Sequence, residues 1–95
     1  MPILVKFFSI LRAHAGTGEY TPENPNLSTL RDVLIDVDQR FFEGTALIFE
    51  IRPSNVNPAL LLLVDDHDYR LLDGELDYTL AGNEEITLLS SVHGG

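Results

Sequence analysis

The stretch Ser28-Thr-Leu-Arg-Asp-Val-Leu-Ile-Asp-Val-Asp-Gln-Arg40 decides the fold, because it is the one clear helix pattern in the chain. Its apolar residues recur at positions i, i+3, i+4 and i+7, so they share one helix face, and aspartates occupy the others. The apolar face consists of Leu30, Val33, Leu34 and Val37. Ser28 has a side chain suited to capping a helix N-terminus. We therefore predict an amphipathic helix that ends near Arg40.

The residues before this helix have the pattern of a strand, a turn and a second strand. Ile3–Phe8 is a run of β-branched, aromatic and aliphatic residues with partial alternation, which predicts a central strand. Residues 9–18 contain Gly16-Thr17-Gly18, a turn signal, and Glu19–Pro22 is predicted to return as a short strand. These three segments together predict a hairpin.

The residues after the helix have mainly the pattern of strands and turns. Phe41 and Phe42 are expected to pack just past the helix end, and the uniformly apolar run Ala59–Val64 predicts a buried strand. The other predicted segments are a short strand or irregular stretch at 47–51, a loop at 52–58, a polar turn at 65–68, a short strand at 69–72 and a last strand at 86–90.

A hairpin, a crossover helix and a second hairpin form an α+β fold with the β-grasp (ubiquitin-like) layout. We predict a mixed sheet of four to five strands with one main helix packed on one face, and with the first and last strands adjacent in its centre. The 95 residues are enough for one domain, predicted at 1–91, followed by a flexible tail at 92–95.

The composition limits the possible functions. There are 15 acidic residues against 6 basic ones, a net charge of −9, so binding to nucleic acid is disfavoured and basic patches on protein partners are favoured. The chain contains no cysteine, which excludes disulfides, zinc–thiolate sites and a catalytic thiol. No apolar run is long enough to span a membrane. We expect a cytoplasmic protein with no membrane partner.

No active site is predicted in the folded body. The pattern Gly16-x-Gly18 lacks the third glycine and the following helix of a dinucleotide-binding motif. Residues 65–68 are Asp-Asp-His-Asp, but consecutive residues in a turn point in different directions and lack the spacing of a calcium loop. The three histidines are scattered and accompany no nucleophile motif. We therefore predict no catalytic residue, no metal site and no bound cofactor.

The C-terminal residues Val92-His93-Gly94-Gly95 follow the last predicted strand directly. Two glycines without Cβ atoms can pass through a narrow channel and carry the terminal carboxylate into an enclosed site. There, ATP could convert the carboxylate into an acyl-adenylate that a sulfur or amine nucleophile attacks. The alternative is an inert chain end, since terminal glycines are commonly tolerated.

The C-terminal half of the chain resembles the ubiquitin-related modifiers, the sulfur-carrier proteins of tRNA thiolation that double as protein modifiers. The resemblance rests on Leu71–Leu80, on the strand Glu85–Ser91 and on the ending Val92–Gly95. Near the N-terminus, Val5–Phe8 and Leu11–Gly16 are instead similar to the small sulfur-carrying subunit of molybdopterin synthase. Both families belong to one β-grasp superfamily with the thiamine sulfur carrier.

The resemblance implies roles for the tail residues. Gly95 would be adenylated by an ATP-using activating enzyme and converted to a thiocarboxylate. Gly94 would supply a slim neck, and His93 and Val92 would help to seat the tail. Because the given chain ends at Gly95, no processing protease is expected. The chain itself would not be an enzyme, and its partners would be the activating enzyme and either a sulfur-acceptor enzyme or target-protein lysines.

Two alternatives to a sulfur carrier and modifier for tRNA thiolation remain. One is the small subunit of molybdopterin synthase, and the other is a β-grasp interaction domain with an inert tail. One helix covers only one side of a sheet, so a partner surface is expected on the other side, with Leu62 and Leu89 as candidates.

Overall fold

The structure is a computed structural model that describes residues 2–91. Its strands and α-helices are, in chain order, β1 (Leu4–Phe8), α1 (Ser9–Ala15), β2 (Glu19–Tyr20), α2 (Leu30–Phe41), β3 (Phe49–Ile51), β4 (Asn55–Val56), β5 (Leu60–Val64), β6 (His67–Asp68) and β7 (Glu85–Ser90). Two 3-10 turns, Tyr69–Leu71 and Glu75–Asp77, connect β6 to β7.

The main sheet has the strand order β2-β1-β7-β5-β6, which confirms the predicted mixed sheet. β1 and β7 run parallel in its centre, from Leu4 opposite Glu85 to Phe8 opposite Leu89. β2 pairs antiparallel with β1, and β5 pairs antiparallel with β7. β3 and β4 form a separate two-stranded sheet. The predicted adjacency of the first and last strands is therefore confirmed.

Helix α2 is the predicted amphipathic helix, and its four predicted apolar residues are fully buried. The predicted cap was wrong by one residue, because Thr29 rather than Ser28 is the N-cap. Thr29 Oγ1 accepts the Asp32 N–H at 3.2 Å, and Asp32 Oδ2 accepts the Thr29 N–H at 3.1 Å. Ser28 supports the same carboxylate, since its Oγ donates to Asp32 Oδ2 at 3.2 Å. Both Ser28 and Thr29 thus contribute to the helix cap that was predicted for Ser28 alone.

Helix α1 was not predicted, because residues 9–18 were interpreted as a turn. A helix of seven residues is too short for a recognisable period, and Leu11 is its one buried residue. Gly16 ends the helix with φ of 76°, and its N–H donates to Arg12 O at 3.0 Å. The glycine signal was therefore a helix C-cap rather than a hairpin turn.

Two other predictions in the second half of the chain were wrong. The predicted loop at 52–58 contains β4, and the predicted strand at 69–72 is a 3-10 turn that follows β6. The Asp68 carboxylate explains the second error, since its Oδ1 accepts the Arg70 N–H at 2.9 Å and caps the turn. Strands of two residues are too short to show an alternating pattern.

The core lies between the inner face of the main sheet and α2. Phe7 on β1 packs edge-on against two rings at the end of α2, with centroid distances of 5.3 Å to Phe41 and 5.7 Å to Phe42. Phe42 is fully buried, which confirms that the aromatic pair packs at the helix end. The other sheet residues of this core include Val5, Leu62, Val64, Ile86 and Leu88.

Candidate functional site at the root of the C-terminal tail

The predicted working residues Val92, His93, Gly94 and Gly95 lie outside the described residues. The structure describes the chain up to Ser91, the position from which these four residues continue. The surroundings of Ser91, which we call the root of the tail, are therefore the part of the candidate site that can be built from atoms.

Ser91 is attached to the residue before β5. Its N–H donates to Ala59 O at 2.7 Å, and its Oγ donates to the same oxygen at 2.9 Å. These bonds lie one residue beyond the end of β7, whose last register pair is Ser90 opposite Leu60. The antiparallel contact between the two strands is thus extended by one residue.

Asn57 binds Ala59, the residue whose carbonyl oxygen accepts both hydrogen bonds from Ser91. Its Oδ1 accepts the Ala59 N–H at 2.8 Å, and its Nδ2 donates to Ala46 O at 2.7 Å. Its backbone N–H also donates to Ile48 O at 2.9 Å. We call Asn57, Ala59 and Ser91 the root clamp, since together they connect the end of the described chain to the segment before β3.

An apolar strip crosses the outer face of the sheet near the root. Leu61 is 37% exposed and lies opposite Leu89, which in turn lies opposite Phe8, 43% exposed, on β1. Directly opposed residues share one face of a sheet. We call Phe8, Leu61 and Leu89 the outer strip, and it lies at the end of β7 from which the tail continues.

The candidate residue Leu62 does not belong to this face. It is 1% exposed and lies opposite buried Leu88, so its assignment to the exposed side was wrong. Leu89 is half-buried and does lie on the outer face. The run Leu60–Val64 is apolar throughout and therefore gave no alternation from which to assign its faces.

An ion pair occupies the outer face further from the root. Lys6 Nζ lies 2.6 Å from Glu85 Oε1, and Lys6 is the only lysine in the sequence. The hydrogen bond with Glu85, and then the charge of that carboxylate, raise the pKa of Lys6. The outer face is therefore apolar near the root and charged at the opposite end of the central strands.

A shallow groove of about 360 Å³ lies beside the root clamp, between β5 and the turn after β6. Its walls include Leu61, Tyr69, Arg70 and Ser91. Arg70 Nη2 lies 2.8 Å from Asp68 Oδ2, and hydrogen bonds from Arg70 lower the pKa of Asp68 to about 2. An ion pair, an aromatic ring and an aliphatic side chain thus line the groove that Ser91 borders.

Within residues 2–91, no group of three or more His, Cys, Asp or Glu side chains could hold a metal ion. In the same part of the chain, no helix is both long and apolar enough to cross a bilayer.

Sequence reasoning missed three residues near the root. The sequence pattern predicts a loop around Asn57 without a role for it, and it predicts Ser91 only as the end of a strand. Phe8 was placed in the first strand without any connection to the tail. The parallel register of β1 and β7 brings Phe8 to the root, and that register depends on tertiary structure.

Comparisons with known proteins extend over most of the chain. The family model described as Urm1 (Ubiquitin related modifier) matches residues 10–95. Human ubiquitin-related modifier 1 is 35% identical over 66 residues, which make up 70% of this chain. The alignment spans 63% of the human protein, which is less than two thirds of its length.

Two solved structures have a similar fold. Small archaeal modifier protein 1 from Methanosarcina acetivorans aligns with a TM-score of 0.77 and 26% identity, covering 98% of this chain and 95% of that chain. A chain of the Amycolatopsis orientalis BexX/CysO complex aligns with a TM-score of 0.74 and 23% identity, covering 98% of this chain and 99% of that chain. The second likeness concerns the fold alone. Since the family model matches nearly the whole sequence, this chain belongs to the Urm1 (Ubiquitin related modifier) family.

Proposed function

We propose that the chain is a cytoplasmic sulfur carrier and protein modifier that acts through the carboxylate of Gly95. An ATP-dependent activating enzyme would recognise the folded body and receive the tail Val92–Gly95 in its active site. Gly94 would form the slim neck, and Val92 and His93 would contact the walls of the channel. In this function the chain is a substrate and carrier rather than an enzyme.

The proposed chemistry has three steps. A carboxylate oxygen of Gly95 attacks the α-phosphate of ATP, and pyrophosphate leaves, which forms an acyl-adenylate. Sulfide-level sulfur supplied by the activating enzyme then attacks the acyl carbon and displaces AMP, which forms the thiocarboxylate. In the third step, the thiocarboxylate sulfur attacks a tRNA uridine carbon whose oxygen the acceptor enzyme has activated as a leaving group. Hydrolysis of the acyl–sulfur bond then returns the Gly95 carboxylate and leaves the sulfur on the base. In the modifier reaction, a target lysine amine attacks the acyl carbon of the adenylate, displaces AMP, loses a proton and forms an isopeptide bond.

The match to the modifier family carries this proposal, because it includes the tail itself. The matched residues run from 10 to 95 and therefore contain Val92, His93, Gly94 and Gly95. A relationship limited to the fold would leave the tail without a role. The match also favours the modifier over the small subunit of molybdopterin synthase, which the N-terminal residues resembled.

The geometry at the root is consistent with a tail that enters a partner. The root clamp holds Ser91 against Ala59, and the outer strip offers apolar side chains beside the same point. A partner that binds the outer strip would thus hold the folded body while the tail reaches its active site. The net charge of −9 favours a partner with a basic rim around this contact.

Intact mass spectrometry of the full chain, purified from its own organism under reducing, non-acidic conditions, tests the proposal. We expect a fraction of molecules in which sulfur replaces one oxygen, located at Gly95 by fragmentation. The same product should form in vitro from the unmodified chain with ATP, sulfide and the organism's activating enzyme.

The control is a chain that lacks Gly94 and Gly95 but keeps residues 1–93. It should fold normally and yield neither adenylate nor thiocarboxylate. If the full chain keeps a plain carboxylate under all of these conditions, the proposed carrier function is wrong. An interaction domain with an inert tail is then the better hypothesis.

A further inference from the structure

We propose that the root clamp sets the length of tail available for reaction, and that Ser91 is therefore a positioning residue for chemistry at Gly95. This inference rests on the proposed function, since it concerns the same tail. It adds a role for Asn57, Ala59 and Ser91, three residues that lie in the described part of the chain.

Ser91 directs two donors at a single acceptor. Its N–H and its Oγ lie 2.7 Å and 2.9 Å from Ala59 O. Strand ends commonly fray because their last backbone hydrogen bonds are exposed to water. The hydroxyl bond adds a second attachment at the position where fraying would begin.

The acceptor is attached independently of β7. Asn57 binds Ala59 through its Oδ1 and reaches Ala46 and Ile48 through its Nδ2 and its backbone N–H. Its carbonyl also accepts the Leu60 N–H at 2.9 Å. The position of Ala59 O is therefore determined by the segment before β3 and by the turn that starts β5. A tail held at this oxygen has a defined origin relative to the folded body.

The position of that origin determines how far the tail can reach. Four residues follow Ser91 in the sequence, and a fully extended chain covers about 3.3–3.6 Å per residue, so each residue added to the unrestrained segment lengthens its maximum reach by that amount. Releasing Ser91 would add one unrestrained residue. The partner would then have to order that residue as well when it binds the tail, which weakens binding without changing the reacting group.

The test measures adenylate formation by ATP–pyrophosphate exchange, with the activating enzyme held constant and the concentration of the full chain varied. Ser91→Ala removes the hydroxyl bond and should raise KM by about 2- to 10-fold, the range that corresponds to one hydrogen bond. The value of kcat should stay within about twofold, because the bound tail presents the same carboxylate. Ser91→Thr keeps the hydroxyl and should restore KM.

Ser54→Ala is the matched control, because Ser54 is exposed and its hydroxyl makes no hydrogen bond within residues 2–91. It should leave both constants unchanged. Amide hydrogen exchange gives a second readout, with faster exchange at residue 91 expected in Ser91→Ala but not in Ser91→Thr.

The outcomes separate the two proposals. Normal exchange by the native chain together with an unchanged KM for Ser91→Ala overturns the role of the clamp and leaves the proposed function intact. A decrease in kcat alone overturns it as well, because positioning of the tail acts on binding. An absence of exchange in the native chain overturns the proposed function and this inference with it.

Discussion

Glu84 has a buried carboxylate whose oxygens accept hydrogen bonds from three consecutive backbone N–H groups of one turn. It is 4% exposed, and its oxygens accept the N–H groups of Ala81 at 2.6 Å, Gly82 at 2.9 Å and Asn83 at 3.1 Å. Burial by itself would raise the pKa of Glu84, but the backbone hydrogen bonds, led by those from Ala81 and Gly82, outweigh it and lower the pKa. The carboxylate thus holds the turn that leads into β7.

Replacement of Glu84 by glutamine should destabilise the fold at neutral pH by about 1–2 kcal/mol, because the amide cannot accept all three bonds. A lowered folded-state pKa contributes stability that is present above the ordinary pKa of 4.5 and is lost as pH falls through the folded value. The difference between native chain and Glu84→Gln should therefore shrink in acid. Urea denaturation at pH 7 and pH 3 measures it, and exposed Glu23→Gln is the control. An equal difference at both pH values would contradict this account.

Lys6 should react slowly with acylating reagents, because its ion pair with Glu85 raises its pKa and keeps the amine protonated. Glu85→Gln removes the largest cause and should speed acylation at pH 8. Peptide mass spectrometry after a short pulse of an activated ester reports modification at Lys6. Glu43→Gln, at an exposed site away from Lys6, should have no effect. Equal rates for native chain and Glu85→Gln would refute the proposed protection.

At the scale of elements, α2 depends on its N-terminal capping box. The Thr29 hydroxyl and the Asp32 carboxylate satisfy backbone N–H groups that the first turn of a helix leaves without partners. The N–H groups of Ser28 and Thr29 lower the pKa of Asp32. The helix start is therefore built from side chains within five consecutive residues.

Thr29→Ala should cost about 1 kcal/mol of stability, since it removes the hydroxyl that accepts the Asp32 N–H. Thr29→Ser keeps that hydroxyl and should stay close to the native value. Chemical denaturation followed by circular dichroism gives both free energies. A Thr29→Ser chain as unstable as Thr29→Ala would show that the methyl group, not the cap, is what matters.

Truncation of side chains on strand β5 should destabilise the fold much more on its buried face than on its outer face. Leu62 is 1% exposed, so Leu62→Ala leaves a cavity and should cost about 2–5 kcal/mol. Leu61 is 37% exposed on the outer strip, so Leu61→Ala should cost about 1 kcal/mol or less. Urea denaturation of the two variants compares neighbours of identical chemistry. Equal losses would mean that the faces are assigned wrongly.

At the scale of the whole molecule, the dominant electrostatic feature is the net charge of −9 on a body of 37 × 24 × 23 Å. The 15 acidic side chains cannot each be paired with a basic side chain, because the sequence contains only six basic residues. Like charges within one screening length repel one another in the compact state and lower its stability. The same charge would steer the molecule toward a basic partner surface.

The melting temperature should rise when ionic strength increases from about 0.01 M to about 0.1 M, because the screening length falls from about 30 Å to about 10 Å. Calorimetry at pH 7 measures the shift. Sodium chloride and potassium chloride should act equally, since screening depends on ionic strength. A melting temperature that stays constant or falls would show that self-repulsion contributes little.

The sequence by itself determined the elements whose signals are local. The i, i+3, i+4, i+7 pattern from Leu30 to Val37 predicted α2, alternation predicted β1 and β7, and an apolar run predicted β5. Their order along the chain was sufficient to predict the mixed sheet. The tail residues of the proposed chemistry were also named from the sequence, because two adjacent glycines form a local motif, and their role stays a prediction.

Only the tertiary structure shows which face of the sheet each residue of β5 occupies and which residues contact Ser91 at the root of the tail. The run Leu60–Val64 has no period, so only its register against β7 turns Leu62 inward and Leu61 outward. Ser91 and Ala59 are 32 residues apart in sequence, and Asn57 links Ala59 to a third segment through its bond to Ala46 O. Contacts of this kind depend on the packed arrangement of several elements, and no pattern within a short window of sequence records them.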